Sequence, residues 1–213
     1  MLVLGHAGIT LGASIIISGF LPEKNTPAIE TNRHSNSSGV PDSLSHPCNN
    51  RARFLSRRLN VLADYIDIRL LFIGSLLPDL IDKPVGMLFF RESLSNGRIF
   101  CHTLLFLIVI SLTGLFIYRK YSKSWLLVLS FGTFMHLILD AMWTQPKTFL
   151  WPALGFTFDK RLLYNWWANI INGLLTNPEV FIPELIGTLI LAWFLFVLIR
   201  RKKLGAFILH GEV

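Results

Sequence analysis

A histidine and an aspartate four residues apart, His136-x-x-x-Asp140, sit in one long apolar run. An α-helix projects both side chains from a single face. Asp79-x-x-Asp82 has i, i+3 spacing, and two carboxylates held that close repel unless a cation neutralises them or one takes a proton. His6, His102 and Glu184 lie in other apolar runs, and Arg98 precedes His102 by four residues. Imidazole nitrogens together with carboxylate oxygens suit a divalent metal, Zn²⁺ first, with Mn²⁺ and Fe²⁺ as alternatives. The candidate ligands are His6, Asp79, Asp82, His102, His136 and Asp140. Six donors exceed what one tetrahedral zinc takes, which leaves room for a two-metal site. Asp82 is also a candidate general base, Glu184 is a second, and Arg98 is placed to steady an anionic substrate or intermediate.

These residues need elements to hold them, and the composition says which kind. Of 213 residues, 52% are hydrophobic and only 15% are charged, and the mean hydropathy is +0.52. A soluble domain carries about 25% charged residues. The deficit is concentrated in long uncharged runs, which excludes a soluble enzyme, a secreted scaffold and a disordered chain. Two cysteines, Cys48 and Cys101, provide neither a disulfide framework nor a zinc-finger spacing. The expectation is an all-α, multi-pass integral membrane bundle of about five spans in a single domain, 1–213.

Leu2 to Leu21 forms the first apolar run. It lacks a basic leader and a small-residue cleavage site, so it reads as a retained helix. Residues 22–60 are polar and rich in Asn, Ser and Pro, a mobile cytoplasmic loop in which His34 and His46 have no partners at ligand spacing. Val61 to Pro78 follows, covering roughly 25–27 Å as a helix against a hydrocarbon core of ~30 Å. It reads as a short tilted or partly re-entrant span. Ile99–Tyr118, Ser124–Trp143 and Phe181–Ile199 complete the set. Residues 144–180, which include Trp151, Trp166 and Trp167, read as an extracytoplasmic interfacial segment.

The net charge of +7 follows the same geometry. Lys and Arg cluster just beyond the ends of the spans, and no base-reading or stacking face accompanies them, so nucleic acid is not an expected partner. With Arg200–Lys203 on the inner side, only Lys83, Arg91, Arg98, Lys147, Lys160 and Arg161 of the 20 basic residues fall outside. That predicts a plasma (inner) membrane protein with its N-terminus outside and its C-terminus cytoplasmic. The same topology, drawn from Lys and Arg alone, puts every candidate His, Asp and Glu in the outer third of the bundle.

Each group also has a plain structural reading. His6 suits an interfacial position, Asp79 after Pro78 suits a helix N-cap, and Asp82 suits a pair with Lys83 or Arg98. His136 and Asp140 could clamp each other, and Glu184 after Pro183 suits the positive end of its own helix. Such readings must place all of these groups on one side by accident.

Taken in order, His6-Ala-Gly, Leu77-Pro-Asp-Leu-Ile-Asp82, Arg98-Ile-Phe-Cys-His-Thr103, His136-Leu-Ile-Leu-Asp140 and Leu150-Trp-Pro152 resemble the YdjM-type family, LexA-binding, inner-membrane-associated proteins described as metal-dependent hydrolases. The resemblance implies a helical multi-pass hydrolase with His6, Asp79, Asp82, His102, His136 and Asp140 as ligands. Gly97 departs from the pattern, since members often carry a His before this Arg.

The expected function is metal-assisted hydrolysis of an ester, amide or phosphoester in a lipid-like or membrane-proximal substrate, with membrane lipids as surroundings. Two rivals stand beside it. One is a metal-ion or proton transporter component, against which the inner halves of the spans, Leu107–Phe116 and Leu189–Leu198, contain no titratable residue. The other is a non-enzymatic membrane adaptor using the 22–60 loop.

Overall fold

Among the described residues eight bounded α-helices, and a helical stretch at 58–63, arise from the apolar runs and from the short segments between them. The computed structural model describes residues 3–20, 58–63, 65–86, 97–158, 166–211 and 213. In chain order the helices are α1 (Val3–Ile17), α2 (Ile68–Pro84), α3 (Leu104–Tyr121), α4 (Trp125–Leu139), α5 (Pro146–Phe149), α6 (Trp166–Thr176), α7 (Pro178–Arg200) and α8 (Leu204–His210). No strand occurs among the described residues. Apart from its last three positions, the polar loop expected over 22–60 lies outside them, as do His34, His46, Cys48, Arg91, Lys160 and Arg161.

Local chemistry sets the helix ends. Asp67 caps α2, its side chain accepting from the Arg69 N–H at 2.9 Å. Thr103 caps α3 by accepting from Phe106 N–H at 3.1 Å, and Asn177 caps α7 by accepting from Glu179 N–H at 3.0 Å. These caps move three helix starts from their expected places, to Ile68, Leu104 and Pro178. The second span begins at Ile68 rather than Val61, because Asp67 ends one helical stretch and starts the next. It also runs through Pro78 to Pro84, so Asp79 and Asp82 lie within a helix. His102 falls in the turn ahead of α3 rather than inside it.

Among the described residues two helices, α3 and α7, are long and apolar enough to cross a membrane. The shorter apolar helices α1 and α4 have 15 residues each, roughly 22 Å, so the chain is a helical bundle with membrane character. Leu105, Val109, Leu112 and Phe116 on α3, and Ile182, Leu189 and Phe196 on α7, are exposed. An apolar surface of that extent is lipid-facing chemistry.

Packing centres on two close helix pairs, α2 with α4 and α1 with α7, while α3 lies on α4 and α6 on α7. Both pairs depend on glycine. A Cβ on Gly74 would lie 2.6 Å from Leu129 O, and one on Gly132 would lie 2.6 Å from Ser75 N. Gly8 likewise meets the backbone of Gly187. Small residues let membrane helices approach this closely. The main apolar core (Leu11, Ile15, Leu59, Leu62, Ile68, Phe194 and Leu198) fills the end of the bundle containing the Asp67 cap. The opposite end is polar inside.

Candidate metal centre

At the polar end, the start of α1, the end of α2, the turn before α3 and the end of α4 converge. The α2–α4 contact does much of the positioning. Pro78 has no N–H to give the carbonyl of Gly74, four residues back, and Thr133 Oγ1 of α4 reaches that oxygen at 3.3 Å, sharing its one proton with Leu129 O of its own helix at 3.0 Å. One turn further along α4, His136 Nδ1 lies 2.7 Å from Ser75 O. A carbonyl only accepts, so His136 bears its proton on Nδ1 and its Nε2 lone pair is free.

His102 is fixed by a different route. The 97–103 turn wraps around the Asp82 carboxylate, which accepts from Ile99 N–H at 2.9 Å, from Cys101 N–H at 3.0 Å and from His102 N–H at 3.2 Å. The same carboxylate lies 2.7 Å from His102 Nδ1. With three backbone donors already on it, Asp82 is an acceptor for that ring nitrogen as well, and the His102 Nε2 lone pair also points into the site.

The two Nε2 atoms are 3.3 Å apart. With both imidazoles neutral and protonated on Nδ1, no hydrogen lies between the two Nε2 atoms and their lone pairs face each other. Carboxylate oxygens surround this point. Asp79 Oδ1 is 3.6 Å from His102 Nε2 and 3.9 Å from His136 Nε2, and Asp140 Oδ2 is 3.8 Å from each. One donor atom from each of the four residues lies within 4.8 Å of the others. A tetrahedral ion 2.0–2.2 Å from its donors separates them by roughly 3.3–3.6 Å, so the donor types and spacings fit a divalent cation with little adjustment.

Each carboxylate also contacts a cation. Lys83 Nζ lies 2.6 Å from Asp79 Oδ2, one turn along α2, and Arg98 Nη2 lies 2.7 Å from Asp140 Oδ2. The side chains of Lys83 and Arg98 are 37% and 24% exposed, whereas those of His102 and His136 are sealed, so the two cations mark the mouth.

Four of the six expected ligands, Asp79, His102, His136 and Asp140, thus form the donor group. His6 stands next to it, with Nε2 3.3 Å from Asp140 Oδ1 and its ring 4.2 Å from that of His136. Asp82 does not join the group, since the 97–103 backbone and His102 Nδ1 occupy its carboxylate. Glu184 also lies elsewhere. Its Oε2 accepts from Gly5 N–H at 3.0 Å, satisfying a first-turn donor of α1 from a neighbouring helix. The alternative pairings are not formed: Lys83 meets Asp79 rather than the adjacent Asp82, because i, i+1 side chains diverge on a helix, and Arg98 meets Asp140. His136 and Asp140, at 3.8 Å, are too far apart to clamp each other.

Sequence reasoning missed the parts played by Ser75, Thr133 and the Gly74–Gly132 contact. Pro78 inside an apolar run was the available signal, because it frees a carbonyl that a neighbouring helix must satisfy.

An all-helical bundle with exposed apolar flanks and a buried His/Asp group able to hold a cation is a membrane protein with a candidate metal centre. The family model for the YdjM inner membrane protein matches residues 50–209, and the chain belongs to that family. All the donor-group residues fall inside the matched stretch, and His6 precedes it. No curated protein and no solved structure matches the chain.

Proposed function

We propose that this protein is a membrane-embedded, metal-dependent hydrolase acting at the extracytoplasmic face on an ester, amide or phosphoester of a lipid-like substrate. The observation that carries this reading is the pair of histidine Nε2 atoms 3.3 Å apart, each with its other nitrogen already engaged. A bound cation removes the repulsion between them. Asp79, His102, His136 and Asp140 are the ligands, and zinc suits two imidazoles and two carboxylates. When bound, a divalent ion lowers the pKa of a water and polarises a scissile carbonyl or phosphoryl group.

The chain's own residues supply the rest. Asp82 holds His102 in the tautomer that presents Nε2, and Ser75 O does the same for His136. His6 braces Asp140 through Oδ1. Arg98, with Lys83, offers positive charge to an anionic substrate at the mouth. The apolar plug at the other end of the bundle favours hydrolysis over permeation, because a transport path needs polar groups to continue through it.

Purified protein is expected to retain close to one Zn or Mn per chain by elemental analysis and to show chelator-sensitive hydrolysis of p-nitrophenyl esters or bis-p-nitrophenyl phosphate. His136→Ala should lose both, and full metal content in that variant overturns the proposal. Sidedness has its own test. In a Cys48→Ser background, an impermeant thiol reagent should reach Phe156→Cys from outside intact cells and Lys123→Cys only after the cells are opened. The reverse pattern would place the centre on the cytoplasmic face.

A further inference from the structure

Beside the metal centre, α1, α6 and α7 enclose a groove of about 370 Å³, bounded by Val3, Leu4, Leu174, Phe181, Leu185 and Thr188 with Glu184 in its wall. Its volume falls in the range of small-ligand sites, roughly 300–1,000 Å³. The polar side chains here are turned to the backbone. Thr188 Oγ1 donates to Glu184 O at 2.7 Å, and Glu184 Oε2 accepts from Gly5 N–H. What remains for an occupant is hydrocarbon surface.

The groove adjoins two other features. On one side it meets the lipid-facing surface: Val3, Leu4, Phe181 and Leu185 are each about half exposed, and Ile182 and Leu189 beside them on α7 are exposed too. On the other its wall lies within one helical turn of His6, which stands beside the metal centre. Val3 and His6 are three residues apart and share a helical face, and the Glu184–Gly5 bond ties the groove wall to the residue preceding His6. A chain lying in the groove therefore runs from the bilayer to the first turn of α1, the turn that also carries the buried His6.

We infer that this groove holds one acyl chain of a membrane glycerolipid and delivers the lipid's ester or phosphoester linkage to the metal centre. This substrate assignment rests on the hydrolase reading, but the groove can be tested without any turnover.

The protein is reconstituted in nanodiscs containing a phosphatidylcholine with a diazirine on one acyl chain, irradiated, and mapped by peptide mass spectrometry. Adducts should concentrate on Leu174 and 181–188, at least fivefold above those on the lipid-facing residues Leu105–Phe116 of α3. Leu185→Trp, which fills the groove, should remove that excess while the metal content stays at wild type. Leu174→Trp on the opposite wall should do the same and serves if the first variant does not fold. Equal labelling of α3 and the groove, or an excess that survives both substitutions, overturns the inference. Metal retained in His136→Ala with groove labelling intact would instead count against the hydrolase reading alone.

Discussion

The two ends of this bundle use charge in opposite ways. At the end containing the Asp67 cap, charged groups are at least partly exposed and bonded to polar partners. Arg69 Nη2 meets Asp67 Oδ2 at 2.8 Å, Arg201 Nη1 donates to Asn60 Oδ1 at 2.7 Å, and apolar side chains fill the space between helices. At the other end Asp79, Asp82, Asp140 and Glu184 are inside the bundle, with Lys83 against Asp79 and Arg98 against Asp140. Exposed pairs are worth ~0–1 kcal/mol each. Ionisable groups within a membrane bundle are costly enough to persist only where something repays them. The contrast therefore separates solvated charge, which accompanies the fold, from enclosed charge, which needs a ligand.

The largest expected break in this contrast comes from the glycine contact that lets α4 reach α2. Gly132→Leu drives a side chain into the Gly74–Ser75 backbone, overpacking that should cost upwards of about 3 kcal/mol. Both folded yield and metal content should fall together in detergent extracts. Gly173→Leu, where a Cβ meets nothing within 4 Å, is the control and should leave both unchanged.

Asp82→Asn tests whether the carboxylate behind His102 tunes the centre without entering it. Outer partners of this kind change metal affinity by about 10–100-fold. Chelator competition should show a loss in that range with the fold intact, whereas unchanged affinity would make Asp82 purely architectural.

The smallest effect belongs to the far end. Asp67→Ala removes the α2 cap and should cost about 1 kcal/mol of stability, read as a modest fall in thermal midpoint with metal content untouched. The hydrogen bond from the Arg69 side chain holds the Asp67 carboxyl below its usual range. Its stabilising contribution is therefore fully present above about pH 4 and is lost as pH falls through the lowered folded-state value. In Asp67→Ala that part of the acid sensitivity should disappear.

Much of the site could be read from the residues because helical spacing converts directly into shared faces. The i, i+4 pair His136 and Asp140 both reach the donor group, and charge bias alone put the candidate residues at one end. The division of labour between Asp79 and Asp82 could not be read that way. Both face the same neighbourhood, and Asp82 becomes a support only because the 97–103 turn aims three N–H groups at it. Nor could the start of α2 be located from hydropathy, since Asp67 interrupts an amphipathic stretch by capping. Glu184 was expected in the first turn of its own helix, but α7 already begins at Pro178, and the carboxylate instead serves the Gly5 N–H of α1, at the far end of the sequence.

Thr133 and His136 of α4 grip the carbonyls of Gly74 and Ser75, successive peptides of α2. Sliding either helix along the other by a single turn would forfeit both anchors at once, so the pair works as a fixed register. Any breathing that admits a substrate is left to the parts around that strut, namely α1 with α7 and the turn bearing His102.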